Sequence, residues 1–188
     1  MGRKLRQTPK GFAYHTYNRV GWRHEIFSDS LDYICFLKCL SKAKEEIPIN
    51  VCSVCIMPNH WHLALYPKED ELIQKFMHRL TSLHVKKWQK RWNCIGTGPL
   101  YQGRYKLKIV KDISYYLNLI RYIERNPVRA NLVSNCTDWP WSSATIREQK
   151  NNIFYYLIDQ GPIKLPDNWN KFLEINQDQE NRKLFRMT

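Results

Sequence analysis

Acidic residues are scarce in this chain: seventeen Asp and Glu stand against thirty Lys and Arg, a formal charge of +13 over 188 residues. That imbalance suits a polyanionic partner rather than a neutral one. No apolar run reaches membrane-spanning length, and Met1-Gly2-Arg3-Lys4-Leu5-Arg6 is not followed by a signal-peptide core. The expectation is a cytoplasmic, nucleoid-associated protein whose six cysteines stay reduced and form no disulfide framework. Internal repeats and long linkers are missing as well. Seven Gly and nine Pro exclude collagen-like and low-complexity chains. What remains, 43% hydrophobic and 13% aromatic, reads as one folded domain with a proper core. A basic surface can also serve an anionic membrane, but that needs a basic amphipathic helix. The best candidate, Phe76 to Trp92, carries a Phe76, Leu80, Leu83, Trp88 stripe suited to burial against a core, so nucleic acid is the better fit.

The aromatic and polar alternation from Phe12 to Val20 predicts a first strand. Ser28-Asp29-Ser30 offers an N-cap for a helix carrying Leu31, Ile34, Leu37 and Leu40. Strands follow at Ile49 to Ile56 and His60 to Tyr66, joined by Pro58-Asn59; a second helix spans Asp70 to Trp92. Tyr101 to Lys111 reads as a fourth strand with alternating basic residues. A third helix runs from Asp112 to about Arg125 and ends near Asn126-Pro127, because a pre-proline residue avoids helical angles. The order β-α-β-β-α-β-α predicts an α+β fold: a ferredoxin-like split βαβ sheet with an added C-terminal helix. Residues 1–150 form the expected domain and residues 151–188 an extension whose role is unreadable; Asn176 to Lys183 reads as a polar tail. Trp139 and Trp141 are expected to pack the third helix onto the sheet.

Met57-Pro58-Asn59-His60-Trp61-His62-Leu63 carries the chemistry. On a strand His60 and His62 point the same way and Trp61 points into the opposite layer. Two imidazoles fill part of a coordination sphere, which suits catalysis better than a closed structural site. On the third helix Ile113, Leu117 and Ile120 space out as a buried face, while Tyr115, Leu119, Tyr122 and Asn126 share another stripe. A phenolate can attack phosphorus and hold a covalent phosphotyrosine; Tyr122 is one candidate, and Tyr115 competes. The Asn126 carboxamide could join two imidazoles on Mg²⁺ or Mn²⁺. Cys52 and Cys55, three apart on a strand, should face opposite sides and so share no metal. His15, His24, His78 and His84 have no motif behind them, and a structural or solvent role is the default.

Together with Tyr101-Gln102-Gly103-Arg104-Tyr105, Tyr122-Ile123-Glu124-Arg125-Asn126-Pro127-Val128-Arg129-Ala130 and Asp138-Trp139-Pro140-Trp141-Ser142-Ser143, the His60-Trp61-His62 motif resembles the IS200-like single-tyrosine (HUH) transposase family. The likeness is to the branch associated with repetitive extragenic palindromes (REP) and covers Phe12 to Ala144. It implies a metal-dependent enzyme that cuts and rejoins single-stranded DNA at hairpins. His60, His62 and Asn126 would be ligands of Mg²⁺ or Mn²⁺, and Tyr122 the nucleophile that leaves a 5′-phosphotyrosine. DNA contacts are expected from Arg104, Lys106 and Lys108 on one strand face, from Lys86, Lys87, Lys90 and Arg91 at a helix end, and from Arg121 and Arg125. Arg121 stands where the family pattern has an acidic residue before the tyrosine, and its charge could lower the phenol pKa or grip DNA. The resemblance leaves monomer and homodimer open. The alternatives are a rolling-circle or relaxase-type nickase, against which a single late tyrosine argues, and a non-catalytic regulator that binds palindromic DNA.

Overall fold

The computed structural model of the protein describes residues 6–20 and 25–174. The polar tail expected at Asn176 to Lys183 and His24 lie outside them. Strand β1 (Ala13–Arg19), helix α1 (Ser30–Glu46), strands β2 (Ile49–Met57) and β3 (His60–Pro67), helix α2 (Leu72–Arg91) and strand β4 (Lys106–Val110) follow in chain order. The sheet order is β2-β3-β1-β4, and every neighbouring pair is antiparallel. This is the ferredoxin-like split βαβ arrangement, as the sequence predicts. Asp29 caps α1, its carboxylate accepting from the backbone N–H groups of Leu31 and Asp32.

The two faces of the sheet have different coverings. Tyr14, Val51, Val54, Ile56, Trp61, Leu63 and Leu65 pack beneath α1 and α2 with Phe36, Leu37, Leu40, Phe76 and Leu80. Ala13, Cys52, Cys55, Met57, Ala64 and Val110 face the other way, against helix α3 (Ile113–Glu124), through Tyr116, Leu119, Ile120, Tyr122 and Ile123. Ile113, expected on the buried face of α3, is exposed, and Tyr116 and Ile123 take that face with Ile120. Asp112 caps α3 by accepting from the Tyr115 N–H.

Helix α3 ends just before Asn126-Pro127, as the sequence predicts. A short helix α4 (Asn126–Arg129) follows α3 immediately, with its proline in the first turn, where no N–H is needed and the fixed φ suits a helix start. Helices α5 (Ser143–Glu148) and α6 (Trp169–Glu174) complete the fold. The fourth strand is shorter than expected: Tyr101 makes only an isolated bridge to Val20, and Gly103 turns its carbonyl to the Asn18 side chain at 3.0 Å, so Arg104 lies in a loop. Trp141 stacks on Tyr33 of α1, rings 4.7 Å apart and nearly parallel, so it packs the opposite layer from α3. Trp139 touches both cores. Residues beyond 150 are built into the same unit: Phe154 and Leu157 enter the first core and Trp169 and Leu173 the second.

Cys52 and Cys55 share a face, contrary to strand parity. A register shift between Val51 and Ser53 inserts an extra residue, so Cys52, Ser53 and Cys55 all turn toward α3. Among the described residues no three His, Cys, Asp or Glu side chains are placed to hold a metal ion.

Candidate active site

Strand parity does hold in β3. Trp61 is fully buried under α1, and its indole N–H donates to the Tyr101 hydroxyl at 3.0 Å; that hydroxyl in turn lies 2.6 Å from His84 Nδ1 on α2. The Tyr101 motif and His84 therefore anchor the layer behind the site, and the structural default expected for His84 fits this place.

His60 and His62 emerge on the α3 face, rings 5.1 Å apart and almost perpendicular. In register, His60 lies between Arg19 and Met57, and His62 between Tyr17 and Cys55. His60 Nδ1 is 2.7 Å from Asn59 Oδ1; that oxygen can only accept, so Nδ1 carries the proton and Nε2 the lone pair. His62 is fully buried, with Nδ1 2.9 Å from His15 Nε2, and its own Nε2 is buried with no hydrogen-bond partner. His15 reaches it diagonally from β1, where it pairs with Ala64. When His62 Nδ1 donates to His15, Nε2 is left as an unanswered lone pair. Burial keeps all three imidazoles neutral: the pKa of His60 falls to about 4 and that of His15 to about 3, and His62 is pushed well below the ordinary value, with help from His15, His60, Arg129 and Arg19. Neutral rings presenting Nε2 fit a divalent cation.

Helix α3 delivers Tyr122 to the same spot. Its ring is edge-on to His62 at 5.7 Å and to His15 at 6.0 Å, and the residue is 4% exposed. Burial raises the phenol pKa, while the charge and hydrogen bond of Arg129 oppose that rise. Arg129 lies 4.4 Å from the centre of the tyrosine ring. Among the described residues the ring cluster joins His15, Tyr17, His60, His62 and Tyr122 and does not include Tyr115, the competing candidate. Asn126 donates its Nδ2 to the Tyr122 and Ile123 carbonyls at 2.9 and 3.2 Å, which turns Oδ1 away from its own helix and frees it as a donor to a cation.

A buried carboxylate fixes the approach of α3. Glu124, fully buried, accepts from Ser53 on β2, Ser143 and Arg147 on α5, and Trp169 on α6. No pattern in the sequence singled it out.

The expected DNA contacts separate into groups. Lys106 and Lys108 pair with Tyr17 and His15 and so flank the site on its own face. Arg104 and Lys86 line a cleft of about 690 Å³ beside α2, with Lys87 and Lys90 exposed on the same helix. Arg91 is committed to Asp29, at 2.6 Å, and to Asp32. Arg121 and Arg125 are buried, donating to the Phe172 and Leu173 carbonyls of α6. They brace the tyrosine helix and are not presented to DNA, and the cation beside the phenol is Arg129 rather than Arg121.

The sheet thus sets two histidines against a tyrosine from a packed helix. The family described as transposase IS200 like matches residues 9–126, and the chain belongs to that family. Proteins of the REP-associated branch are among those it resembles. A Haemophilus influenzae protein assigned as a REP-associated tyrosine transposase is 27% identical over 122 residues, 60% of this chain and 69% of that protein. The solved structure of a REP-associated tyrosine transposase bound to a REP hairpin matches with a TM-score of 0.61 at 16% identity, covering 88% of this chain and 94% of that one; at this identity the match speaks for the fold. No helix among the described residues is long and apolar enough to cross a membrane.

Proposed function

We propose that this transposase cuts and rejoins single-stranded DNA at REP-type hairpins, with Tyr122 as the nucleophile. The observation that supports this reading most is the meeting of Tyr122 from α3 with His62 from β3 inside one chain, rings 5.7 Å apart. A tyrosine supplied in cis also favours a monomer as the working unit over a helix-swapped homodimer.

The Tyr122 oxygen attacks the scissile phosphorus, the P–O3′ bond breaks, and the strand leaves with a free 3′-OH while the phosphate stays on tyrosine. A 3′-OH from the same or another strand reverses the step. His60 and His62, with the Asn126 carboxamide, would hold Mg²⁺ or Mn²⁺. Bound there, the ion supplies Lewis acidity toward a phosphate oxygen. His15 orients His62 by its ring hydrogen bond, in the way ligating imidazoles are commonly held from behind. Burial excludes water from the phenol, and Glu124 holds its helix in place. Lys106 and Lys108 sit where the incoming backbone would pass.

The test is incubation with labelled hairpin DNA and Mn²⁺ or Mg²⁺, followed by a denaturing protein gel beside Tyr122→Phe and His60→Ala. A covalent band lost in both variants supports the reading. DNA bound without any band would point to the regulator instead.

A further inference from the structure

The guanidinium beside the nucleophile has no role in the account so far. Arg129 closes α4, and its Cζ lies over the Tyr122 ring at 4.4 Å. Its Nε and Nη1 are buried and make no hydrogen bond, and among the described residues it forms no ion pair. The other arginines of this region are answered by protein oxygens: Arg121 by Phe172, Arg125 by Leu173, Arg147 by Glu124 and the Cys52 carbonyl. Leaving two buried guanidinium donors unanswered costs their full desolvation. A cost of that kind at a reaction centre indicates a partner that arrives with the substrate.

The missing partner is an anion. Nε–H and Nη1–H sit on different edges of the planar fork, so each answers a separate oxygen, in fixed directions that a lysine cannot copy. The groups around the phenol, His15, His62 and Tyr17, are neutral, and the charges acting on them come from Arg19, Lys108 and Arg129. Resting on the assignment of Tyr122 as nucleophile, we propose that Arg129 is a further catalytic residue: its Nε–H donates to an oxygen of the scissile phosphate of single-stranded DNA. The same N–H group then holds the phosphotyrosine while the free 3′-OH exchanges. Stacking on the ring keeps the fork in the path of the phosphorus before and after attack, so the charge that builds on the equatorial oxygens meets donors already in place. No new bond is made by Arg129, and its proton count does not change.

The experiment measures single-turnover adduct formation at saturating labelled hairpin, with DNA affinity determined separately, for wild type, Arg129→Lys and Arg129→Ala. Thermal melts report folding. The expected result is a fall in adduct rate of roughly 100- to 1,000-fold for Arg129→Ala, with an affinity loss of no more than about 3-fold, since one phosphate contact is a small share of the total. Arg129→Lys should recover part of the rate, because charge returns without the fork. A wild-type rate in a folded Arg129→Ala, or a loss explained wholly by affinity, overturns the proposal. Inorganic phosphate titrated into Tyr122→Phe protein, followed by the Arg129 Nε–H proton signal, reads the anion site without any strand cutting. A saturable shift there supports the site even if no adduct forms with wild type and the nucleophile assignment fails. No shift up to high millimolar phosphate overturns it.

Discussion

The two faces of this sheet are made by the same strands and behave in opposite ways. Beneath α1 and α2 Trp61, Tyr101 and His84 Nδ1 answer one another, and the polar atoms left over, His84 Nε2 and the Tyr105 hydroxyl, belong to side chains packed in an apolar core. Beneath α3 the face carries His15, His60, His62, Tyr17, Tyr122 and Arg129, and several of its buried nitrogens have no protein partner. One residue step along β3 crosses from one regime to the other. The face packed mainly with apolar side chains makes the fold rigid, and the face that gathers imidazoles, phenols and a guanidinium is left for a substrate to complete. A layer that must place imidazoles within about 0.5 Å needs such a rigid backing.

The comparison is broken most severely at the phenol. Tyr122→Phe should remove covalent adduct altogether, a loss of at least about 10⁴-fold if Tyr122 is the nucleophile, while hairpin affinity in a gel-shift assay stays within a few-fold. Next in size are the supports. Glu124→Ala removes the buried carboxylate shared by Ser53, Ser143, Arg147 and Trp169, and truncating one partner of a buried pair costs about 3–5 kcal/mol; Trp61→Ala opens a cavity worth about the same. Both should appear in urea denaturation, and both should loosen the site from opposite sides of the sheet.

A smaller effect separates the faces more sharply. His15→Ala removes the group behind His62 and should weaken Mn²⁺ binding, read by calorimetry, roughly 10- to 100-fold; His84→Phe, equally buried but on the other face, should leave it unchanged. His84 instead contributes to the acid limit of stability. Its folded pKa is lowered to about 3 by burial, against an ordinary value near 6.5 in the unfolded chain. The unfolded state therefore binds one more proton between those limits, and stability falls as pH drops from about 6.5 toward 3, by roughly 2 kcal/mol between pH 7 and pH 5. Chemical denaturation across that window should show a slope shallower by nearly one proton in His84→Phe. The smallest change expected is in salt dependence. Lys106→Ala and Lys108→Ala should each lower the slope of log affinity against log salt by about one. Arg91→Ala should leave that slope alone, because its charge is held by Asp29 and Asp32.

How much of this could be read from the chain follows the range of the interactions. Period-two alternation places His60 and His62 opposite Trp61, and helical spacing puts Tyr122 and Asn126 one turn apart; both are local, and the structure keeps both. The element order was enough to predict the split βαβ sheet. His15 was missed because its meaning depends on β1 lying beside β3, although that same topology, applied to its parity in the first strand, would have found it. The shared face of Cys52 and Cys55 depends on a bulge that no residue type announces. Arg121 and Arg125 read as surface charges until α6 arrives from fifty residues away to cover them. Arg129 was in the quoted motif but without a task, since only the turn into α4 brings it back over Tyr122.

Protease digestion of the protein–hairpin adduct and mass mapping of the nucleotide-bearing peptide test the central claim most directly. The account predicts a nucleotide on the peptide containing Tyr122, absent when His62 is replaced by alanine. Attachment to Tyr115 or any other residue, or an undiminished adduct without His62, would contradict it.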